Sequence, residues 1–524
     1  MSRVYWKRII CILLCLAMLT GCGYVSGSPF DTRMKGNGDS EFTTLGLDPE
    51  FDYEVPESLP SILVNQVGYD IDSSKVAFFC GDLLPNTFSI IDAQSGKSVY
   101  TGRIKTRGYD EKTGVSVSYG DFTTLQKTGT YYIEAAIIGQ SYSFEISDNP
   151  YEELYNVAVK QYYYNRCGLT LSSELAGDAA HNACHTKEAQ LKDEASVKLD
   201  ASGGWHVDEA SNRDVGIGCR TVNHLLLAYE LYPEMFGDDL GIPESGNGVP
   251  DVLDEVKYEI DWLLKMQDAK SGAVYSAVSS VDNATLGYLL YIDSVTMDAT
   301  IQFAATMAKF SYLYQNYDWE FANRCLKAAD RAYRYAGQYL GDVSQEEYFY
   351  AATELYRANG GYTYHNAIKN YLQQNPVTDM KNDFLFWGCV TYMSTKQRVD
   401  VNICSDMIKV LMLEGERISY ASKSSKLLVS MDEQKNGSAE LLRDITRLAV
   451  VDHIITNHEY GTVLQNHLHY MLGRNFQSIS YLDGAGSRNY KDIDEKQGIM
   501  NQVELNAELV LVMSSIMQEL SPSD

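Results

Sequence analysis

The stretch LLLAYELYPEMFGDDLGIPESGNGVPDVLDE, residues 225–255, decides how most of this chain is interpreted. Apolar residues return every three or four positions up to Tyr232, which is the period of a helix with one buried face. The Gly-, Asp- and Pro-rich middle indicates a loop. Pro250 and the acidic residues after it are typical of a helix start, because proline fits the first turn and carboxylates complement the helix dipole. The stretch therefore predicts two helices joined by a loop.

The same period recurs through much of the chain after Tyr151. Many helices of similar length joined by loops predict an α-helical toroid or solenoid. Besides the helices on either side of the quoted loop (219–237 and 249–268), the segments with this pattern are ELYNVAVKQYYYNRCG (153–168), MDATIQFAATMAKFSYLYQN (297–316), DWEFANRCLKAADRAYRYAGQYL (318–340), EEYFYAATELYRANG (346–360) and YGTVLQNHLHYMLGRN (460–475).

Residues 59–147 have a different pattern, in which apolar and polar residues alternate between Gly-, Asp-, Pro- and Ser-rich turns. Alternation with period two predicts half-buried strands, and several short strands in a row predict a small β-sandwich. The predicted strands are SILVNQVGY (61–69), KVAFFC (75–80), TFSIIDA (87–93), VSVSYGDF (115–122), GTYYIEAAI (129–137) and SYSFEI (141–146).

The N-terminus has the pattern of a lipoprotein signal peptide, residues 1–22. Basic residues precede the apolar run IICILLCLAML, which is too short for a membrane-spanning helix and leads into LTGC. Cleavage before Cys22 would leave that cysteine as the lipid acceptor; the alternative is an ordinary secretory peptide with a chance cysteine. Residues 23–58 are polar and lack an apolar period, which predicts a flexible linker. We expect an exported protein that is lipid-anchored to the bacterial cell membrane or cell surface.

Composition narrows the choice of partners. The net charge of −27 argues against a nucleic-acid partner and is compatible with neutral polysaccharides. Three of the ten cysteines lie in the signal peptide or at its cleavage site, and the other seven are too few for a disulfide-dense framework. A protein partner stays open.

Seven further features stand out along the chain: LVNQVGY (63–69), ACHT (183–186), SGGW (202–205), the quoted 225–255, EIDWLLKMQD (259–268), EEYFYAATELY (346–356) and LHYMLGRN (468–475). Together these segments resemble the glycoside hydrolase family 9 cellulases that carry an N-terminal immunoglobulin-like domain. The resemblance implies a multidomain β + α fold: an immunoglobulin-like β-sandwich at 59–147, followed by an (α/α)6 barrel at 148–520 with a substrate cleft across one face. It also implies a β-glucan or another plant-type polysaccharide as ligand.

The catalytic base of such enzymes comes from a loop that begins Gly-Gly-Trp and continues into Asp-Ala-Gly-Asp. Inverting hydrolysis needs one carboxylate to deprotonate water and one carboxylic acid to protonate the leaving oxygen. This chain has GGWHVDEASNRDVG at 203–216, and an ungapped alignment puts Val207 and Ala210 at the two aspartate positions. Neither side chain can accept a proton.

The catalytic acid of the family stands in an Asn-Glu-Val run before an Asn-Ala or Asn-Ser pair. This chain has MNQVELNAELV at 500–510. Anchoring on Asn-x-Val puts Gln502 at the acid position, and anchoring on the Asn506-Ala507 pair puts Met500 there. The family's His-His-Arg substrate-contacting element after the Gly-Arg-Asn segment is also missing, so three catalytic elements are altered.

Two functional hypotheses follow from these replacements. The first is a catalytically impaired relative that binds glucan or another glycan in its cleft or offers the barrel as an interaction surface. The second is an active inverting endo-β-glucanase or glycosidase that uses relocated carboxylates. Asp208 and Glu504 are the relocation candidates, and Glu209 and Asp214 lie in the same loop as Asp208. Misplacing a catalytic group by about 1 Å can cost on the order of a hundredfold in rate, which favours the first.

The resemblance also implies a structural zinc ion. Cys167, Cys184, His185 and His206 match the Cys, Cys-His and His that hold zinc in some family members. Thiolates and imidazoles are the ligands that tetrahedral zinc prefers, and four protein ligands leave no open position for hydrolytic water. The alternative is that the cysteines are small buried apolar residues and that His206 is a polar wall of the cleft.

Calcium and stacking aromatics complete the candidate sites. Calcium is common in the family, and its oxygen ligands here could include Asp251, Asp254 and Glu255, although these acids also fit a helix start. Trp205 and Trp387 are candidates for stacking on sugar rings.

Overall fold

The computed structural model describes residues 60–111, 113–285, 287–430, 438–455, 459–490 and 498–520. The predicted signal peptide with Cys22 and the predicted linker 23–58 lie outside the described residues. Among the helices of the described part, none combines the length and the apolar character that a membrane crossing requires.

The N-terminal part is a two-sheet sandwich. One sheet has the strand order β1-β3-β7-β6, and the other has the order β2-β10-β8-β4-β5 with β9 beside β8. Apolar side chains on the inner faces of both sheets, such as Phe79, Phe88 and Ile133, are fully buried, which is why the alternating pattern of this region predicts it correctly. The strands are β1 Ile62–Leu63, β2 Gly68–Asp70, β3 Val76–Cys80, β4 Thr87–Asp92, β5 Ser98–Arg103, β6 Lys105–Asp110, β7 Val115–Asp121, β8 Gly129–Ala135, β9 Gly139–Gln140 and β10 Phe144–Ser147.

Twelve long helices in the described part form the second domain. The six even-numbered helices make an inner layer, in which α2 packs against α4, α4 against α6, α6 against α8, and α10 against α12, which returns to α2. This arrangement is the predicted (α/α)6 barrel. The helices are α1 Glu152–Tyr164, α2 Val215–Leu231, α3 Asp251–Lys265, α4 Met297–Tyr314, α5 Trp319–Ala336, α6 Gln345–Asn359, α7 Tyr362–Gln374, α8 Asp383–Ser394, α9 Val401–Ser424, α10 Ser438–Ile455, α11 Gly461–Met471 and α12 Val503–Leu520.

A third sheet, which the sequence analysis did not predict, lies beside the first half of the barrel. Its strand order is β12-β11-β16-β15-β13, and a two-stranded pair, β14-β17, lies just before α4. The long hairpin of β15 and β16 pairs with β13, the strand that leads directly into α2. The strands are β11 Ala189–Leu191, β12 Lys198–Leu199, β13 Arg213–Asp214, β14 Val274–Tyr275, β15 Ala277–Asn283, β16 Gly287–Ile292 and β17 Val295–Thr296.

The segment LVNQVGY does not form the single strand that its pattern predicts. The strand pairing stops after Leu63 and resumes at Gly68, because Gln66 between them bonds to the barrel. Gln66 donates from its side chain to the Ser478 carbonyl at 2.8 Å and accepts from the Arg488 backbone amide at 2.9 Å. The motif is therefore the polar joint between the two domains.

Candidate functional site

The Gly-Gly-Trp motif is a buried structural element at the base of the loop that precedes α2. Gly203 and Gly204 have φ of 104° and 78°, which side-chain-bearing residues rarely adopt, and a Cβ on Gly204 would lie 2.7 Å from the Trp262 ring. Trp205 is 1% exposed, and its backbone amide donates to Glu259 at 2.8 Å. These contacts give the motif a structural role that does not require catalysis.

Both tryptophans proposed to stack on sugar lie in the protein interior. Trp387 is 5% exposed and packs against His224, Tyr350 and Phe384, while Trp205 packs against Tyr162. Stacking on a sugar requires an exposed ring face. Neither ring has one in this structure.

The middle of the loop is closed by hydrogen bonds between its own polar groups. The Asp208 carboxylate accepts from the Asn212 backbone amide at 3.0 Å and from the Asn212 side chain at 2.8 Å. Val207 is half-buried and Ala210 is exposed. The positions assigned to the family's aspartates therefore carry methyl groups, and the adjacent Asp208 closes a turn.

Asp214 ends the loop and begins α2. Its carboxylate accepts from the Ile217 backbone amide at 2.8 Å, which is the hydrogen bond of an N-cap. The preceding Arg213 is fully buried and donates to the carbonyls of Ala201 and Gly203, so it ties the two ends of the loop together. The carboxylate of Asp214 therefore has a structural role.

The segment assigned to the acid lies just before α12. Met500 is 3% exposed, and its backbone amide donates to Asp483 at 3.1 Å. Gln502 is half-buried and donates to the Gly498 carbonyl at 3.2 Å. Neither alignment of the segment puts an ionisable side chain at the acid position.

Glu504, the second relocation candidate, is held by an arginine that the sequence analysis did not identify. The Arg220 guanidinium donates to both Glu504 oxygens, from Nε at 2.8 Å and from Nη2 at 3.0 Å. Two parallel charge-assisted hydrogen bonds stabilise the carboxylate as an anion. In this arrangement both oxygens of Glu504 already have Arg220 as a partner.

The same arginine belongs to a chain of polar side chains across the N-terminal ends of four inner helices. Arg220 on α2 donates to Gln302 on α4 at 3.3 Å, and Gln302 donates to Glu347 on α6 at 2.7 Å. Together with Glu504 on α12, these residues form what we call the mouth network. Polar residues in the first turns of helices often serve only as caps, so their sequence positions gave no signal for this network.

Glu347 is the carboxyl group of the mouth network whose pKa is raised toward neutrality. The side chain is largely buried, and this burial raises its pKa from 4.5 to about 7, although the hydrogen bond from Gln302 opposes the shift. A pKa near the working pH suits a general acid. Inverting hydrolysis also requires a carboxylate free to activate water, and Asp208 and Asp214 are both engaged in the loop.

The four predicted zinc ligands do come together. One ligand atom from each of Cys167, Cys184, His185 and His206 lies within 4.8 Å of the others, with 3.9 Å between the two sulfurs and 3.7 Å from the Cys184 sulfur to His206 Nε2. These separations suit a tetrahedral ion with bonds of about 2.0–2.3 Å.

The imidazole of His185 shows how the cluster fits zinc. Its Nε2 is 3.2 Å from the Ser280 hydroxyl, while its Nδ1 is buried without a hydrogen-bond partner in the described part of the chain. An orphaned ring nitrogen whose other nitrogen is anchored is what a metal-binding histidine requires. A zinc ion here would join the end of α1, the loop before β11 and the Gly-Gly-Trp loop.

The acids considered for calcium do not converge on one point. Asp251, in the first turn of α3, accepts from the Ser245 hydroxyl at 2.8 Å, Asp254 accepts from Asn247, and Glu255 pairs with Arg166 at 3.0 Å. Each carboxylate serves a different partner: Ser245 and Asn247 lie in the loop before α3, and Arg166 follows α1. The interpretation of this stretch as a helix start is confirmed.

Known protein families match both domains. The sequence model of the family described as "Glycosyl hydrolase family 9" matches residues 151–502. The model described as "Cellulase N-terminal ig-like domain" matches residues 57–140.

Individual relatives are similar over most of the chain. A cellodextrinase of Butyrivibrio fibrisolvens is 29% identical over 85% of this chain and 88% of its own. Endoglucanase D of Acetivibrio thermocellus is 26% identical over 92% of this chain and 77% of its own. Among solved structures, a metagenome-derived glycoside hydrolase family 9 endoglucanase is 25% identical, with a TM-score of 0.77 over 87% of this chain and 98% of its own.

Proposed function

The chain belongs to glycosyl hydrolase family 9, and on this basis we propose that it is an exported protein that binds β-glucan and hydrolyses it weakly or not at all. The similar cellodextrinase and endoglucanase support β-glucan as the polysaccharide class. The sandwich and barrel retained over the whole described chain support a role of the same glycan class. The substituted catalytic positions support the loss of turnover.

One observation carries the proposal of impairment: the two relocation candidates, Asp208 and Glu504, already have structural partners. Asp208 closes a turn with Asn212, and both oxygens of Glu504 accept from Arg220. A catalytic base or acid must reach the substrate or the attacking water. Each relocation candidate would first have to leave its present partner.

Affinity electrophoresis tests the binding half of the proposal. We expect protein starting at residue 23 to migrate more slowly in native gels that contain mixed-linkage glucan or xyloglucan than in gels that contain dextran. The control is the same protein with Arg220→Ala, which removes the centre of the mouth network. Equal mobility of the unmodified protein in all gels would contradict glucan binding.

An active hydrolase is the second candidate function, and Glu347 is the observation that favours it. Burial raises its pKa to about 7, near the pH at which a general acid works, whereas both oxygens of Glu504 are engaged by Arg220. A second carboxylate would then have to leave its present partner in the loop when substrate binds. Loss of turnover in Glu347→Gln would identify this route.

We also propose that Cys167, Cys184, His185 and His206 hold a structural zinc ion. Zinc with four protein ligands supplies folding energy and no reactive water. Elemental analysis of protein purified without added metal should give one zinc per chain, and absence of zinc under reducing, chelator-free conditions would contradict this.

The membrane location rests on the N-terminal sequence alone. We propose that lipid attached at Cys22 anchors the protein and that residues 23–58 act as a spacer. Detergent-phase partitioning of the full chain should be lost in Cys22→Ser. Unchanged partitioning of this variant would contradict the anchor.

A further inference from the structure

Two of the four proposed zinc ligands are cysteines that lie close enough to join each other. The Cys167 and Cys184 sulfurs are 3.9 Å apart, and both cysteines are free in this structure. A disulfide bond holds two sulfurs at about 2.05 Å, so closing the bond requires a movement of less than about 2 Å. The pair can therefore bind zinc as two thiolates or form a disulfide bond, but it cannot do both at once.

The two thiols differ in their access to solvent. Cys184 is half-buried in the loop before β11, whereas Cys167 is fully buried. The Cys167 backbone amide donates to the Gly204 carbonyl at 2.8 Å, which fixes this residue to the Gly-Gly-Trp loop. A reagent in solution therefore reaches Cys184 first, and Cys167 is placed to attack the adduct. An accessible thiol beside a second, resolving thiol is typical of redox-sensitive cysteines.

The backbone of His185, next to Cys184, favours movement once a bound metal is lost. Its φ of 49° lies in the left-handed region, which residues with a Cβ adopt only where the surroundings impose it. In this conformation the imidazole lies in the cluster, and its Nδ1 is buried without a hydrogen-bond partner in the described part of the chain. A zinc ion bonded to the ring would offset the strain, and its release would remove that compensation.

Hydrogen bonds connect the cluster to the middle of the Gly-Gly-Trp loop. His185 Nε2 is 3.2 Å from the Ser280 hydroxyl on β15. The Ser280 backbone amide donates to the Asn212 side-chain oxygen at 2.9 Å, and the Asn212 side-chain nitrogen donates to Asp208 at 2.8 Å. A displacement of His185 therefore reaches the turn that Asp208 closes.

We propose that Cys167 and Cys184 are a redox pair that exchanges the zinc ion for a disulfide bond and thereby loosens the Gly-Gly-Trp loop. The inference rests on the proposed structural zinc, but it does not depend on whether the protein binds or hydrolyses glucan. The oxidant is a small-molecule disulfide, a class of reagent that persists in oxidising compartments outside the cytosol.

Thiol–disulfide exchange accounts for the bonds and electrons of this step. The Cys184 thiolate attacks one sulfur of the external disulfide, whose S–S bond breaks and releases one thiolate. The Cys167 thiolate then attacks the Cys184 sulfur, forms the internal disulfide and releases the second thiolate. The two cysteines lose two electrons and the external disulfide gains them. Zinc leaves because two of its four ligands are lost.

Oxidised glutathione is the probe for this exchange. The full chain, reduced and then freed of reductant, should release one zinc per chain to a chromogenic chelator when oxidised glutathione is added. A non-reducing peptide map should then show Cys167 joined to Cys184. The same concentration of reduced glutathione should release no zinc. Hydrogen exchange of the backbone amides in residues 203–216 should become faster on oxidation, while exchange in β3 and β7 of the sandwich should stay unchanged.

Cys167→Ser removes the resolving thiol and keeps the accessible one. After the same treatment, Cys184 of this variant should retain a glutathione adduct, because no second thiol displaces it. Cys404→Ser is the matched control: this half-buried cysteine lies on α9, and its loss should leave the link between Cys167 and Cys184 intact.

The outcomes separate the redox pair from the zinc site. Retention of zinc without the cysteine link in the unmodified protein would overturn the redox pair and leave the structural zinc in place. A reduced protein that contains no zinc would refute the zinc site and with it the exchange, even if the link forms. Unchanged hydrogen exchange of residues 203–216 would overturn the coupling to the loop. The peptide map of the unmodified protein decides the question even if Cys167→Ser does not fold.

Discussion

Arg220 on α2 binds Glu504 at the start of α12 through two parallel hydrogen bonds of 2.8 and 3.0 Å. These two helices are the first and last of the inner layer, so the pair lies at the closure of the barrel. Glu504 is the only acidic residue in MNQVELNAELV before Glu508. Its carboxylate therefore joins the first and last inner helices of the barrel.

Glu504→Gln should lower the free energy of unfolding by about 1 kcal/mol, because it leaves the partly buried Arg220 with a weaker partner. Urea denaturation measures this. Asp406→Asn, which breaks the exposed pair with Lys409, is the matched control and should change stability by less than about 0.5 kcal/mol. Equal effects of the two variants would show that the mouth pair has no special role in stability.

The free energy of unfolding should fall as pH rises from about 4.5 to 8, and the group responsible is Glu508 on α12. Burial raises its pKa from 4.5 to about 8, so the folded protein holds a proton that the unfolded chain releases. This contribution is fully present below pH 4.5 and is lost as pH approaches 8; a shift of this size corresponds to on the order of a few kcal/mol.

Glu508→Gln tests this, because the amide stays neutral throughout. Unfolding free energies of the variant should decline less between pH 5 and 8 than those of the unmodified protein. Glu440→Gln, at an exposed position on α10, should leave the slope unchanged. A steep decline that persists in Glu508→Gln would rule out this carboxyl as its source.

Cys184→Ser should lose the bound zinc and lower Tm, since metal binding and folding of the loop are coupled. Cys404→Ser is the control: this half-buried cysteine on α9 is outside the cluster and should retain one zinc per chain. Full zinc content in Cys184→Ser would exclude the four-residue site.

Gln66→Ala should cost about 1–3 kcal/mol, because it leaves the buried Ser478 carbonyl and Arg488 amide without their partner. Gln126→Ala removes an exposed hydrogen bond to Asp72 and should be nearly neutral. Differential scanning calorimetry measures the Tm of both variants. Similar Tm values would mean that the polar joint between sandwich and barrel contributes little.

The fold could be predicted where local pattern and burial agree. Helix α5 buries one face against α4 and α6, and its 3.6-residue period is plain in the sequence. By contrast, α8 lies in the inner layer and is apolar on nearly all sides. Its sequence therefore has no clear 3.6-residue period, and periodicity alone does not distinguish it from a buried strand. Five of the twelve helices, α7, α8, α9, α10 and α12, were not identified from the sequence.

The site was predictable in part for a similar reason. Cysteine and histidine are rare enough for the cluster around His185 to be assigned from the family resemblance. Trp205 was proposed as a sugar contact because aromatic rings serve both cores and clefts, and only three-dimensional packing shows that its ring is buried. Arg220 and Glu347 lie 127 residues apart in sequence, so no local pattern could join them.

Catalytic impairment can be measured as the release of reducing ends from β-glucan. Mixed-linkage glucan, xyloglucan and cellulose should be incubated with the unmodified protein and with Asp208→Asn, Glu347→Gln and Glu504→Gln, and the products measured over time. We expect little or no release by the unmodified protein and no further loss in any variant. Robust release that one of these substitutions abolishes would contradict it and identify a relocated catalytic carboxylate.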